Sequence, residues 1–123
     1  MRVGNSRVLA EHEAAHAVVA RHFGLDVYDI VIGDRSGRTL YQVPAEPWLD
    51  AAVIAAGDLF NRELGTVPYL DYGCSDLRTL EREHGLAQLW DANRAARGIL
   101  TQRRQAVLLL ADRVQRERHI TFT

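Results

Sequence analysis

The sequence predicts a single domain over residues 1–123 that is mainly α with a small β-sheet, an α+β arrangement. Three observations predict it. Stretches rich in Ala, Leu and Val, long enough for helices, occupy residues 7–23, 48–64 and 86–118. The first two are each followed by a glycine, Gly24 and Gly65, that can end a helix. One β-branched and aromatic run, Val27–Ile32, interrupts the helical pattern early in the chain. A length of 123 residues fits one domain, since domains commonly run to about 100–150 residues.

Taken in order, the first helix is expected over residues 7–23, with Asn5 or Ser6 as N-cap. Gly24 can adopt the left-handed conformation that closes it, and Leu25 can pack back as the accompanying apolar contact. Val27–Ile32 reads as a strand, Asp34-Arg35-Ser36-Gly37 as a turn, and residues 38–43 as a returning strand. Pro44 and Pro47 bound a connection to a largely buried helix over 48–64. Residues 66–73 form a loop containing Pro68, and Ser75 caps a short helix that reaches His84 and stops at Gly85. Residues 86–118 read as two helices broken near Gly98 or Thr101, with Leu100, Val107, Leu108, Ala111 and Val114 forming an apolar stripe.

Composition narrows the function classes. An apolar fraction of 47% with 25% charged residues is ordinary for a globular domain. A net charge of −1 gives no sign of a polyanion binder or of an acidic solvating tail. All 15 basic residues are Arg. Cys74 is the only cysteine, so no intrachain disulfide can form and a reducing compartment fits. Residues 1–10 lack the apolar core of a secretory signal, and the aliphatic run 106–111 is far below the roughly 20 residues of a membrane span. The expectation is a cytoplasmic protein with no membrane contact.

The chemistry is carried by His12-Glu13-Ala14-Ala15-His16, two His four apart with Glu after the first, a zinc-peptidase pattern. On a helix this spacing puts both imidazoles on one face, with β-carbons about 5–6 Å apart. Both rings can then reach one Zn²⁺ ion at about 2.0–2.1 Å. Glu13 is turned by about 100° from His12, which suits a general base acting on a water better than a third ligand.

A catalytic zinc site has three protein ligands and an open position, so a third is needed. His22 stands six residues after His16, the spacing of the third His in another large class of zinc proteases. That class needs a glycine between the two, where this chain has Val19, and a downstream Met turn, whereas Met1 is the only Met. Six helical residues amount to about 600° of rotation, which turns His22 away from the metal face. His22 is therefore read as a partly exposed residue at a helix C-terminus, where a positive ring is favoured.

The residues His12 to Ala20, followed by Gly24-Leu25 and the strand Val27–Ile32, resemble the peptidase domain of the FtsH family of ATP-dependent zinc proteases. Arg35-Ser36-Gly37 is similar to that family's arginine-glycine turn. Ala56-Gly57 with Leu59-Phe60 and Gly65 is similar to its glycine-alanine-glutamate helix, and residues 100–114 to its closing helix. Gly73-Cys74-Ser75-Asp76-Leu77-Arg78 is similar to its glycine-rich segment ending in aspartate-leucine, and the resemblance implies Asp76 as third zinc ligand. Asp76 also follows a short loop at a helix start, where a carboxylate can be aimed, or can satisfy helix amides instead; Glu63 is the next candidate ligand. Asn61 stands where the family usually has a glutamate, which weakens the expected orientation of a ligand from that position, and Ala15 replaces a customary glycine.

The 123 residues hold no counterpart of the family's ATPase module or membrane anchor. The resemblance thus implies cleavage of peptides or unfolded chains, or work with an ATPase partner in trans, and the family's rings make a homo-oligomer plausible. The expected function is a zinc-dependent metallo-endopeptidase, with His12, His16 and Asp76 holding the metal and Glu13 as catalytic base. Val27–Ile32 is taken as an exposed edge to which a substrate backbone can add. The competing function is a non-catalytic zinc-binding module that docks a protein partner through the Arg-rich C-terminal helix. That helix region, residues 94–118, carries seven Arg against Asp112 and Glu117, and is read as a solvated face rather than a nucleic-acid surface. Cys74 is expected to be small and buried, His84 to cap a helix, and Trp48, Tyr69 and Tyr72 to pack or anchor loops. No partner is assigned to His119.

Overall fold

A computed structural model describes residues 3–67 and 86–122, with side chains described for 6–67 and 90–122. Four helices and three strands occupy these residues: α1 (Val3–His22), β1 (Val27–Ile32), β2 (Gly37–Tyr41), α2 (Pro47–Glu63), α3 (Leu86–Gln102), α4 (Arg104–Glu117) and β3 (His119–Thr121). The mainly α fold with a small antiparallel sheet is as the sequence predicts. No helix among the described residues is long and apolar enough to cross a membrane.

α1 is the central element. Every residue from 8 to 20 is buried, because α2, α3, α4 and the sheet pack around it. Its sequence accordingly lacks a strongly one-sided apolar stripe, as expected of a helix covered all round. It starts earlier than its polar residues suggest. Ser6 lies inside the helix, buried, and accepts a hydrogen bond from Arg118 Nη1 (3.3 Å) rather than capping the first turn. The stop is as expected. Gly24 has φ +79°, Leu25 N–H donates to Ala20 O (3.0 Å) and Gly24 N–H to Arg21 O (2.9 Å), the paired closure of a Schellman motif.

The sheet order is β2-β1-β3, all antiparallel. β1 is therefore the central strand, paired on both sides, and does not offer the free edge expected of it; among the described residues the edges are β2 and β3. A bulge between Val27 and Asp29 resets the alternation of β1, so that Val27, Ile30 and Ile32 all face the core. Across from Ile30 stand Thr39 on β2 and Ile120 on β3. Directly paired residues share a face, so Thr39 looks toward α1 while Leu40 is 44% exposed.

β3 is the element the sequence reading misses. Arg118 ends α4 in the left-handed region (φ 64°), and its carbonyl accepts from Ile32 N–H (2.8 Å), turning the chain onto the sheet. His119 gains a partner there, Asp29, at 3.3 Å. Thr121 Oγ1 also donates to Asp29 (2.8 Å), and these groups hold the Asp29 carboxyl below its ordinary range.

α2 begins with Pro47, whose missing N–H costs nothing in a first helical turn, and ends at Leu64, whose N–H bonds Phe60 O (2.9 Å). α2 packs on both α1 and α3. The break between α3 and α4 falls at Arg103, close to the expected Thr101. The expected short helix from Ser75 to His84, with Cys74, Tyr69 and Tyr72, lies outside the described residues. Trp48 is 51% exposed and meets Phe23 edge-on, ring centroids 5.5 Å apart.

Candidate metal centre

Four polar or charged residues lie on the buried stretch of α1: Glu11, His12, Glu13 and His16. Buried polar groups require partners, so each partner reveals what its residue is for. Glu11 is structural. Its carboxylate accepts from Arg7 Nε (2.7 Å), Thr66 N–H (2.9 Å) and the Thr66 hydroxyl, which ties the end of α2 to α1. Arg7 in turn reaches Asp112 on α4.

The two histidines are held differently. His16 Nδ1 lies 2.7 Å from the backbone carbonyl of Val53, an acceptor only, so Nδ1 carries the proton. His12 Nδ1 lies 2.8 Å from Asn61 Oδ1. Asn61 Nδ2 donates to Val8 O (3.2 Å), which fixes the amide with its oxygen toward His12. His12 Nδ1 is thereby the donor as well. Each neutral ring then carries its lone pair on Nε2, the tautomer that suits a metal ligand whose other nitrogen is anchored.

Both Nε2 atoms converge on Gly57 of α2. A β-carbon at that position would sit 2.5 Å from His12 Nε2 and 2.6 Å from His16 Nε2. Only glycine lets both rings approach the helix this closely. The rings are edge-on, with centroids 4.8 Å apart. One ligand atom from each of His12, Glu13 and His16 lies within 4.8 Å of the others. Two imidazole nitrogens of matched tautomer, with the Glu13 carboxylate beside them, could hold a metal ion.

Glu13 is held by the sheet. Its Oε1 accepts from the Thr39 hydroxyl (2.8 Å), which also lies 3.0 Å from the Glu13 carbonyl. Glu13 is 4% exposed yet lines a cavity of about 210 Å³ together with His16, Arg38, Thr39, Tyr41 and Ile54. Tyr41 is positioned by donating to Asp50 (2.6 Å). β2, an edge strand, runs along this cavity.

The structure thus brings together three of the expected site residues, His12, Glu13 and His16. Asp76 lies outside the described residues. Glu63 does not join them: it is exposed and accepts two hydrogen bonds from Arg97 (2.8 and 3.0 Å), which hold its carboxyl below the ordinary range. His22 is exposed and away from the cluster, as expected of it. The sequence reading takes Asn61 as a weakened position, whereas its amide oxygen orients His12 directly. It gives no role to Thr39 or the Val53 carbonyl. The one signal for Gly57 was a glycine inside an Ala-rich helix, where Ala would be favoured by about 1 kcal/mol. No protein-family model matches this chain, and no curated protein matches it.

Proposed function

We propose that this chain is a zinc-dependent metallo-endopeptidase domain acting on peptides or unfolded chains. One observation carries the reading. His12 and His16 are both held in the tautomer that turns Nε2 toward Gly57, with the Glu13 carboxylate beside them. His12 and His16 would hold the metal, and the resemblance to the FtsH family adds Asp76 as third ligand. A bound zinc ion supplies Lewis acidity, polarising a scissile carbonyl and making a nearby water easier to deprotonate.

The chain's own groups do the rest. Glu13 takes a proton from the attacking water and returns it to the departing amine, and Thr39 keeps its carboxylate aimed. The buried setting limits the motion of that carboxylate, which strengthens positioning. The edge that β2 forms among the described residues suits an extended backbone, because main-chain pairing tolerates many sequences, and the adjoining cavity receives one side chain.

Zinc content and cleavage of unfolded, quenched-fluorescent casein test the reading in wild type and Glu13→Gln. The variant is expected to retain zinc and to lose about 10²–10⁴-fold in cleavage rate. Zinc bound by both with cleavage by neither would favour the non-catalytic module. A wild type without zinc would end both readings.

A further inference from the structure

A second cavity, about 280 Å³, opens on another side of α1. It is lined by Arg21, His22 and Arg103, with Val18, Ala106 and Leu110 as its apolar part. Val18 is turned by about 200° from His16 along the helix, so this cavity is separate from the candidate metal centre. No carboxylate lines it among the described residues.

Two guanidinium groups gathered beside an imidazole, with no acid among the described lining residues, repel one another, so their arrangement needs a reason. The helix C-terminus accounts for part of it, since Arg21 and His22 occupy the last turn of α1. Yet the α1 carbonyls at that end, Val19, Ala20 and Arg21, already accept from backbone N–H groups of residues 23–25. Arg103 comes from a different element, the α3–α4 junction, and its Nε donates to His22 Nδ1 (3.0 Å) rather than to a carboxylate. Arg21 lies over the Phe122 ring, 4.4 Å from its centroid. Among the described residues neither arginine has an acidic partner. Some arginines elsewhere, Arg7, Arg97 and Arg113 among them, do meet a carboxylate. Ala106, in the first turn of α4, brings the positive end of that helix to the same wall.

We infer that this cavity binds a small amphiphilic anion, its phosphate or carboxylate head between Arg21, His22 and Arg103 and its apolar body against Val18, Ala106 and Leu110. Guanidinium groups favour both kinds of head through paired N–H donors. The volume admits a head with a short chain, and the apolar residues give that chain a surface to leave water for.

The test is an amide-resolved NMR titration of the full chain with octyl phosphate, octanoate and inorganic phosphate. At least one octyl anion should bind saturably, shifting the signals of Val18, Ala106 and Leu110, and more tightly than inorganic phosphate. The stronger of the two octyl anions identifies the head. Arg103→Gln and Arg21→Gln should each weaken binding by about tenfold, as loss of one charge-assisted contact does. Arg94→Gln, at an exposed position outside the cavity, should leave it unchanged. Absence of saturable binding to wild type would overturn the inference without any variant. So would equal binding of inorganic phosphate, or an equal loss in Arg94→Gln, which would mark diffuse attraction to charge.

Discussion

The two sides of α1 solve opposite problems with polar side chains. On one side His12, Glu13 and His16 are buried, and each is fixed by a neutral acceptor or donor from a neighbouring element: Asn61, Thr39 and the Val53 carbonyl. On the other, Arg21, His22 and Arg103 are exposed and lean on a ring or on each other. Burial makes the first set expensive to misplace, since a displaced polar group there loses its partner and finds no water. The second set can move at little cost. A fixed geometry suits an ion with short, definite bond lengths; an adjustable one suits charge recognition of a small molecule.

That contrast breaks most sharply at Gly57. In an ordinary helix Gly→Ala stabilises by about 1 kcal/mol. At position 57 the new β-carbon would meet both Nε2 atoms well inside van der Waals contact. Gly57→Ala should therefore lower zinc affinity by at least ~100-fold, more than the loss of an outer partner does. It should also destabilise the metal-free protein by about 1–3 kcal/mol through overpacking between α1 and α2. Isothermal titration with zinc and a melt in chelator separate the two effects. A variant that binds zinc like wild type and melts higher would mean that the rings do not converge there.

Asn61 sharpens the comparison with a smaller effect. Asn61→Leu removes the acceptor of His12 Nδ1–H and the donor to Val8 O, and should weaken zinc binding by about 10–100-fold. Asn61→Asp keeps the acceptor and should stay within a few-fold of wild type. If both variants lose zinc equally, the side chain matters for packing and not for the ring's tautomer. Arg103→Gln, on the other side of α1, should leave zinc affinity untouched.

What the sequence made legible follows from the same physics. The His pair is visible because helical periodicity alone puts residues 12 and 16 on one face. The closing motif at Gly24 is visible because few residues tolerate φ +79°. The partners are invisible. Thr39 sits in Arg38-Thr39-Leu40-Tyr41, where alternation leaves the inward face open between Thr39 and Leu40. A local reading puts the leucine inside; pairing with Ile30 puts the threonine there, because a long-range register decides it. Likewise β3 is three residues at the end of a helical run, and only the edge of β1 makes it a strand. That same pairing takes from β1 the free edge its sequence suggested. Asp76, the ligand drawn from the family resemblance, lies outside the described residues.

The smallest effect belongs to Glu63, a carboxylate the sequence left open as a ligand. Its two hydrogen bonds from Arg97, with burial opposing them, lower its pKa in the folded state. A depressed carboxylate stabilises the fold above the unfolded-state value, about 4.3, and loses that contribution as pH falls through the lower folded value. Both side chains are well exposed, so solvent screens the pair. Glu63→Gln should thus lower the melting midpoint by only about 1–3 °C at neutral pH, with the gap closing as the pH falls below the ordinary carboxylate range. Zinc binding should not change. A loss of zinc in Glu63→Gln would return this residue to the metal and overturn its assignment to Arg97; a melting gap that persists in acid would mean that the stabilisation does not come from the ionised pair.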